Sequence, residues 1–235
     1  MKNKEEKKIR KVAIFDIDGT IFRSSLLIEV VEVLIEIQVF PISLRKKYEK
    51  EKNNWLDRGR SYEEYINAVI GVFIKNIKGV PYDDFMRAAH LVVSRYHNRT
   101  YLFTKKLIRT LKKQNYFLLA VSQSPKGILD LFCKELGFDK IYGRFYELGP
   151  TDCFTGKVVD EHLIGNKATI LRRVIEKENL TPDGSIGVGD TEGDISFLEI
   201  VQRPICFNPN EKLYRQAKRN GWEVVVERKD VIYKL

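Results

Sequence analysis

Two carboxylates one residue apart, Asp16 and Asp18, follow directly on the apolar run Val12-Ala13-Ile14-Phe15 and lead into Gly19. The run is rich in strand formers and reads as a buried strand. In an open α/β sheet, ligands bind just past the carboxyl ends of the central strands. Two acids desolvated there without partners would cost on the order of several kcal/mol. A divalent cation removes that cost. It leaves one carboxylate to attack an electrophile and the other to move protons. Alone, such a pair also describes a capped turn. An EF-hand loop does not fit, because the glycine comes too early and Leu27 stands where the closing Glu belongs.

Further polar groups sit at comparable places. Ser122 follows the apolar run Tyr116-Phe117-Leu118-Leu119-Ala120-Val121. Asp190 follows Ser185-Ile186-Gly187-Val188-Gly189, with Asp194 four residues on. Lys167 opens a helical stretch, where a cation is slightly disfavoured by the helix dipole. Taken singly, these read as a turn serine, a surface lysine and two helix caps.

In order, the segments DIDGT, VSQSP, GNKAT and GDTEGD resemble the four motifs of the haloacid dehalogenase superfamily. The helical stretch between the first and second motifs is similar to a cap of the first type, as in the phosphoserine-phosphatase-like branch. The resemblance implies that Asp16 is the nucleophile and forms an aspartyl-phosphate, with Asp18 as general acid and base. It implies a Mg²⁺ held by Asp16, the backbone carbonyl of Asp18 and Asp190, with Asp194 orienting that shell. Ser122, the amides around Gln123, and Lys167 are then the phosphate-binding groups. Dehalogenating members lack the second acid, so Asp18 argues for phosphoryl transfer. Phosphoserine-specific relatives carry an acid nine positions past the nucleophile, where this chain has Ser25. The expected activity is hydrolysis of a small phosphorylated metabolite by a monomer or homodimer. A phosphotransferase or mutase on the same site is the nearest alternative, and a catalytically idle binding protein another. Arg23, Arg58 and Arg60, with Ser25, are candidate substrate contacts from the cap side.

The elements that must position these groups follow from periodicity. Leu26-Leu27, Val30-Val31 and Leu34-Ile35 recur at helical spacing, and a charged helical stretch covers residues 45–55. Ser61-Tyr62-Glu63-Glu64 is a capping-box-like start for a helix over 65–74. Pro81 opens another, running to about residue 96. Beyond residue 100, helices and strands alternate: a helix over 103–114, a strand over 116–121, and a helix capped by Ser124 with Pro125 at its first position and Gly137 as its stop. Short strands over 141–146 and 157–159 suit a hairpin around Thr155-Gly156. A helix over 167–178, strands at 185–189, 205–207 and 222–226, and a helix over 210–220 complete the pattern. The expectation is a Rossmann-like, doubly wound parallel α/β sheet. Residues 1–23 and 99–235 form the core, and 24–98 a small helical-bundle cap hinged at both ends as a lid.

Hydrophobic content of 43% describes an ordinary globular chain, without an apolar run long enough for a bilayer. The N-terminus lacks the pattern of a signal peptide. Cys133, Cys153 and Cys206 have no C-x-x-C spacing and read as buried thiols of a reducing compartment, so the expectation is cytoplasmic. The net charge of +9 is concentrated at the ends: six Lys/Arg in the first eleven residues, and eight against four acids from Arg203 onward. Without interleaved aromatics this reads as solvated termini, with neither a nucleic-acid nor a membrane partner. His90, His97 and His162 have no metal-ligand spacing and read as surface or packing residues.

Overall fold

The computed structural model describes residues 9–159 and 165–235. His162 and most of the basic N-terminal stretch lie outside the described residues. Strand β1 (Lys11–Phe15) occupies the middle of an eight-stranded sheet. It is flanked by β2 (Phe117–Pro125) on one side and by the strand Thr181–Gly189 on the other. Alternate residues of β1 enter separate cores, as strand geometry requires. Val12 and Ile14 pack with Leu171, Val174, Phe197 and Leu198. Ala13 and Phe15 join the opposite cluster with Leu118, Ala120 and Phe132. Val12 to Phe15 are fully buried, which explains the unbroken apolar run.

Four helices follow β1 as an insert: α1 (Leu26–Glu36), α2 (Glu49–Leu56), α3 (Tyr62–Asn76) and α4 (Tyr82–Tyr96), with a 3₁₀ turn at Ile42–Lys47 before α2. Ser61 caps α3 by accepting from the amide of Glu64 at 3.3 Å. Then come α5 (Leu102–Lys113), β2, α6 (Lys126–Leu136), β3 (Lys140–Leu148), β4 (Phe154–Val159), α7 (Lys167–Lys177) and β5 (Thr181–Gly189). A short helix α8 (Ile195–Leu198), β6 (Arg203–Phe207), α9 (Glu211–Asn220), β7 (Glu223–Arg228) and β8 (Val231–Lys234) close the chain. The sheet order is β4-β3-β2-β1-β5-β6-β7-β8, parallel from β3 to β7 and antiparallel at both edges. The strand order reverses at β1, so its carboxyl end lies at the switch point where open α/β sheets bind ligands.

Several local expectations are amended. The β3–β4 hairpin turns at residues 149–153, where Gly149 donates to Cys153 and Asp152 adopts φ 53°, and Gly156 lies within β4. The basic C-terminal stretch is ordered rather than a free tail, and it adds an antiparallel edge strand. One of its acids, Glu227, is buried and accepts from the amides of Leu102 and Phe103 at 3.0 and 2.8 Å. It thereby caps α5. Cys133 and Cys206 are buried free thiols, but Cys153 is only half-buried.

The inserted helices meet the core at more than their two linkers, and α4 packs on α6, where Met86 and Phe85 lie against Gly127. The two linkers run side by side, with Arg23 donating to Arg99 and Tyr101 to Ile21, both at 3.0 Å. The α3–α4 loop also pairs with the hairpin: Gly79 donates to Phe154 at 2.8 Å, Phe154 to Val80 at 2.9 Å and Tyr82 to Asp152 at 2.8 Å. Phe73 on Tyr146 and Phe85 on Phe154 pack ring to ring at 5.2 and 5.5 Å around this junction. A lid held by two linkers alone therefore does not describe the packing.

Candidate active site

The site grows from the end of β1. Gly19 takes φ 81°, which turns the chain sharply, and a Cβ there would stand 2.1 Å from Asp190 Oδ2. Only glycine lets the first acidic loop meet the end of β5 so closely. Gly189 acts likewise, since a Cβ would lie 2.5 Å from the Asp194 side chain. Asp16, Asp190 and Asp194 offer oxygens that all fall within 4.8 Å of one another. Among the described residues, no histidine or cysteine joins such a group.

Lys167 reaches this cluster from the first turn of α7. Its ammonium donates to Asp16 Oδ1 at 2.5 Å and to Asp194 Oδ1 at 2.6 Å. All three side chains are buried. Asn166 caps α7 by accepting from the amide of Thr169 at 3.0 Å, leaving the lysine free to turn inward. The other oxygen of Asp194 accepts from the amides of Asp190 and Thr191 at 3.0 and 3.2 Å. Asp194 is thus occupied in orienting the lysine and the β5 loop. Thr20 donates to Asp190 Oδ1 at 3.1 Å.

Asp18 points to the other side of the loop. Its Oδ1 accepts from the Leu26 amide at 2.6 Å, and its Oδ2 from the hydroxyls of Ser122 at 2.5 Å and Ser124 at 2.8 Å. Ser122 Oγ in turn accepts from the Ser124 amide at 2.9 Å. Ser122 thus borders the cavity and donates to Asp18. Ser124 does not cap a helix: β2 runs on to Pro125, α6 begins at Lys126, and the hydroxyl goes to the acid. Serines two apart on a strand share a face, and that spacing was the available signal. Gln123 borders the same cavity, and its side-chain oxygen accepts from Arg144 at 2.5 Å.

Charge does not balance within this site. Burial, with Lys167 opposing and Asp194 and Asp18 reinforcing, pushes the Asp16 carboxyl up to about 8. Burial and the neighbouring Asp16 and Asp194 hold Asp190 well above the usual carboxylate range. Asp18 is also raised by burial, against the pull of Ser122, Leu26 and Ser124. Burial disfavours the Lys167 ammonium, but Asp16 and Asp194 outweigh it and keep it charged. One cation facing four acids leaves a surplus that a divalent ion would satisfy, and an all-oxygen donor set suits a hard cation.

A cavity of about 280 Å³ opens over these groups. Asp16, Asp18, Lys167 and Asp190 lie on its core side; Ser25, Leu27, Tyr62, Ile66 and Ile70 line it from the insert. Tyr62 and Asp190 also border a second cavity of about 420 Å³ that holds Arg23, Trp55 and Tyr101. Arg23 stacks over Tyr101, 5.4 Å from the ring centre. Arg58 and Arg60 are exposed and line neither cavity, and Arg60 pairs with Glu64 at 3.5 Å.

Acids at the switch point of a doubly wound sheet, paired with a buried lysine and roofed by an inserted helical bundle, define a hydrolase of the haloacid dehalogenase type. A family model described as haloacid dehalogenase-like hydrolase matches residues 13–199, and the chain belongs to that family. A phosphoserine phosphatase of Archaeoglobus fulgidus is 24% identical over 209 residues, covering 87% of this chain. The chain spans about half, 54%, of that relative's length. A protein of unknown function from Bordetella pertussis Tohama I superposes with a TM-score of 0.69 at 15% identity, covering 92% of this chain and 98% of its own. A phospho-aspartyl intermediate analogue of phosphoserine phosphatase superposes with a TM-score of 0.63 at 19% identity, covering 95% and 96%. The two structural likenesses are likenesses of fold.

Proposed function

We propose that the protein is a Mg²⁺-dependent phosphatase that hydrolyses a small phosphorylated metabolite through a phospho-aspartate. The observation that carries the reading is the buried Lys167 bridging Asp16 and Asp194 beside Asp190, at the mouth of a cavity. A binding protein gains nothing from holding four acids around one buried lysine, because such charge is costly to desolvate.

Asp16 attacks phosphorus, forming an O–P bond as the ester O–P bond breaks, and Asp18 gives its proton to the departing alcohol. Water then attacks the aspartyl-phosphate, its proton passes to Asp18, and phosphate and the free Asp16 carboxylate result. Lys167 neutralises charge on Asp16 and on the phosphoryl oxygens. Asp194 holds Lys167 in place, while Ser122 and Ser124 fix the rotamer of Asp18. Asp16, Asp190 and the backbone carbonyl of Asp18 would hold Mg²⁺, which supplies further charge neutralisation at the phosphoryl group.

The test is phosphate release from a panel of phosphorylated metabolites and from a generic aryl phosphate, with Mg²⁺ present. Stoichiometric release into water supports the reading. Transfer of the phosphoryl group to an added alcohol in preference to water would make the protein a phosphotransferase. No turnover of any ester would overturn the assignment.

A further inference from the structure

The wall of the catalytic cavity opposite the acids is apolar. Helix α3 buries Tyr65, Val69, Val72 and Phe73 in the bundle. Its adjoining stripe, Tyr62, Ile66 and Ile70, is spaced by four residues and faces the cavity together with Leu27. Ile66 and Ile70 are half-buried, packing against the core cluster on one side and lining the cavity on the other. Among the described residues the insert contributes no Lys, Arg, Asp or Glu to this lining; its polar groups are the hydroxyls of Ser25 and Tyr62. Nearby charges are directed elsewhere. Arg23 lies in the second cavity, Glu29 is paired with Arg99 at 2.7 Å, and Arg60 is engaged with Glu64.

A leaving group carrying an ammonium or a carboxylate would lose its water against Leu and Ile where no described residue of the insert offers a counter-ion, which is unfavourable. A carbon frame in the same place gains from leaving water. The β-branched side chains are stiff at χ1, so the wall cannot easily rearrange to admit water beside a charge. A volume of about 280 Å³ holds about nine water-sized groups at roughly 30 Å³ each, enough for a phosphoryl group and a short carbon chain.

Building on the phosphatase reading, we infer that the leaving group seated against Leu27, Ile66 and Ile70 is a compact, uncharged alcohol. The preferred substrates are then monophosphates of short apolar alcohols. Amino-acid and amino-alcohol phosphates are disfavoured.

The experiment measures kcat/KM of the full chain, with Mg²⁺, on methyl, ethyl, propyl and butyl phosphate, and on phosphoserine and phosphoethanolamine. The simple alcohols are of similar basicity, so the slope along the series reports the wall and not the leaving group. Each added methylene is expected to raise kcat/KM by about fourfold until the cavity is full. Butyl phosphate should exceed phosphoserine by at least about tenfold. Ile66→Asn and Ile70→Ala should each lower the butyl-to-methyl ratio, chiefly through KM. Should Ile66→Asn fail to fold, Ile70→Ala and the series on the unaltered protein still decide. A flat series, or a charged ester leading it, while phosphate is released would overturn the inference and leave the phosphatase reading standing. Absence of hydrolysis of every ester, a generic aryl phosphate included, would remove both.

Discussion

Lys167 Nζ lies 2.5 Å from Asp16 Oδ1, although the two residues are 151 positions apart in sequence. The contact joins the start of a late helix to the end of the first strand, and it places the cluster's cation against the group proposed to attack phosphorus. Its removal leaves Asp16 and Asp194 buried without their partner. Lys167→Met is therefore expected to lower stability by roughly 3–5 kcal/mol in chelator, the range found when one member of a buried pair is deleted. Added Mg²⁺ should restore part of the loss. Urea denaturation with and without the ion checks this, and a variant as stable as its parent in both conditions would contradict the bridge.

Asp16→Asn should behave differently. The amide keeps the shape of the side chain but cannot attack phosphorus, so turnover should fall by at least about 10³-fold. Because burial raises the Asp16 carboxyl to about 8, the charged form is disfavoured in the fold at neutral pH. In chelator the variant should consequently lose less stability than Lys167→Met, since Lys167 keeps Asp194 as its partner. Phosphate-release assays on protein purified away from host phosphatases, paired with thermal melts, test both halves.

Activity should vanish on exhaustive chelation, return with Mg²⁺ and be inhibited by Ca²⁺. Few protein oxygens converge on the cluster, and Ca²⁺ takes a larger, looser shell than the compact octahedron Mg²⁺ prefers. Full activity in excess chelator would remove the metal from the proposal.

Glu227 offers a control outside the chemistry. It is buried, and both of its oxygens accept helix-start amides, those of Leu102 and Phe103. Glu227→Ala should cost about 1–2 kcal/mol by the loss of this cap. KM should not change. A shift in KM without loss of stability would show that α5 is coupled to the site in a way the contacts do not indicate.

What the sequence made legible was local. The run from Val12 to Phe15 declared a doubly buried strand, and its two acids declared a site, because burial and charge conflict within a few residues. Ser61 declared a helix start through its own hydroxyl. Ser124 was misleading for the same reason: Ser-Pro before a helix has the grammar of a cap, and only the fold shows Asp18 opposite. The pairing of Gly79, Val80 and Tyr82 with Asp152 and Phe154 depends on register between segments about seventy residues apart. No periodicity encodes that. Strand β8 is only four residues long and largely exposed, too short for the alternation by which strands are read.

The last prediction concerns Ser25. It stands nine positions past Asp16, where phosphoserine-specific relatives carry an acid to pair with the substrate's ammonium, and it is 4% exposed at the cavity wall. Glu29, one helical turn further on, cannot take over that duty: it lines the second cavity and is paired with Arg99 at 2.7 Å. Loss of one charge-assisted partner in an enclosed site costs roughly 1.5–3 kcal/mol, or about one to two decades in efficiency. Phosphoserine should accordingly be a poor substrate of the unaltered protein. Ser25 is the N-cap of α1 but makes no capping bond with its side chain, so Ser25→Glu sacrifices none, and a carboxylate there is favoured by the helix dipole. The variant should gain about one to two decades in kcat/KM for phosphoserine. Its melting temperature, measured alongside, shows whether the longer side chain is accommodated. Phosphoserine heading the panel with Ser25 in place would mean that its ammonium is recognised from elsewhere, and a folded Ser25→Glu without any gain would place the leaving group's amine away from this wall.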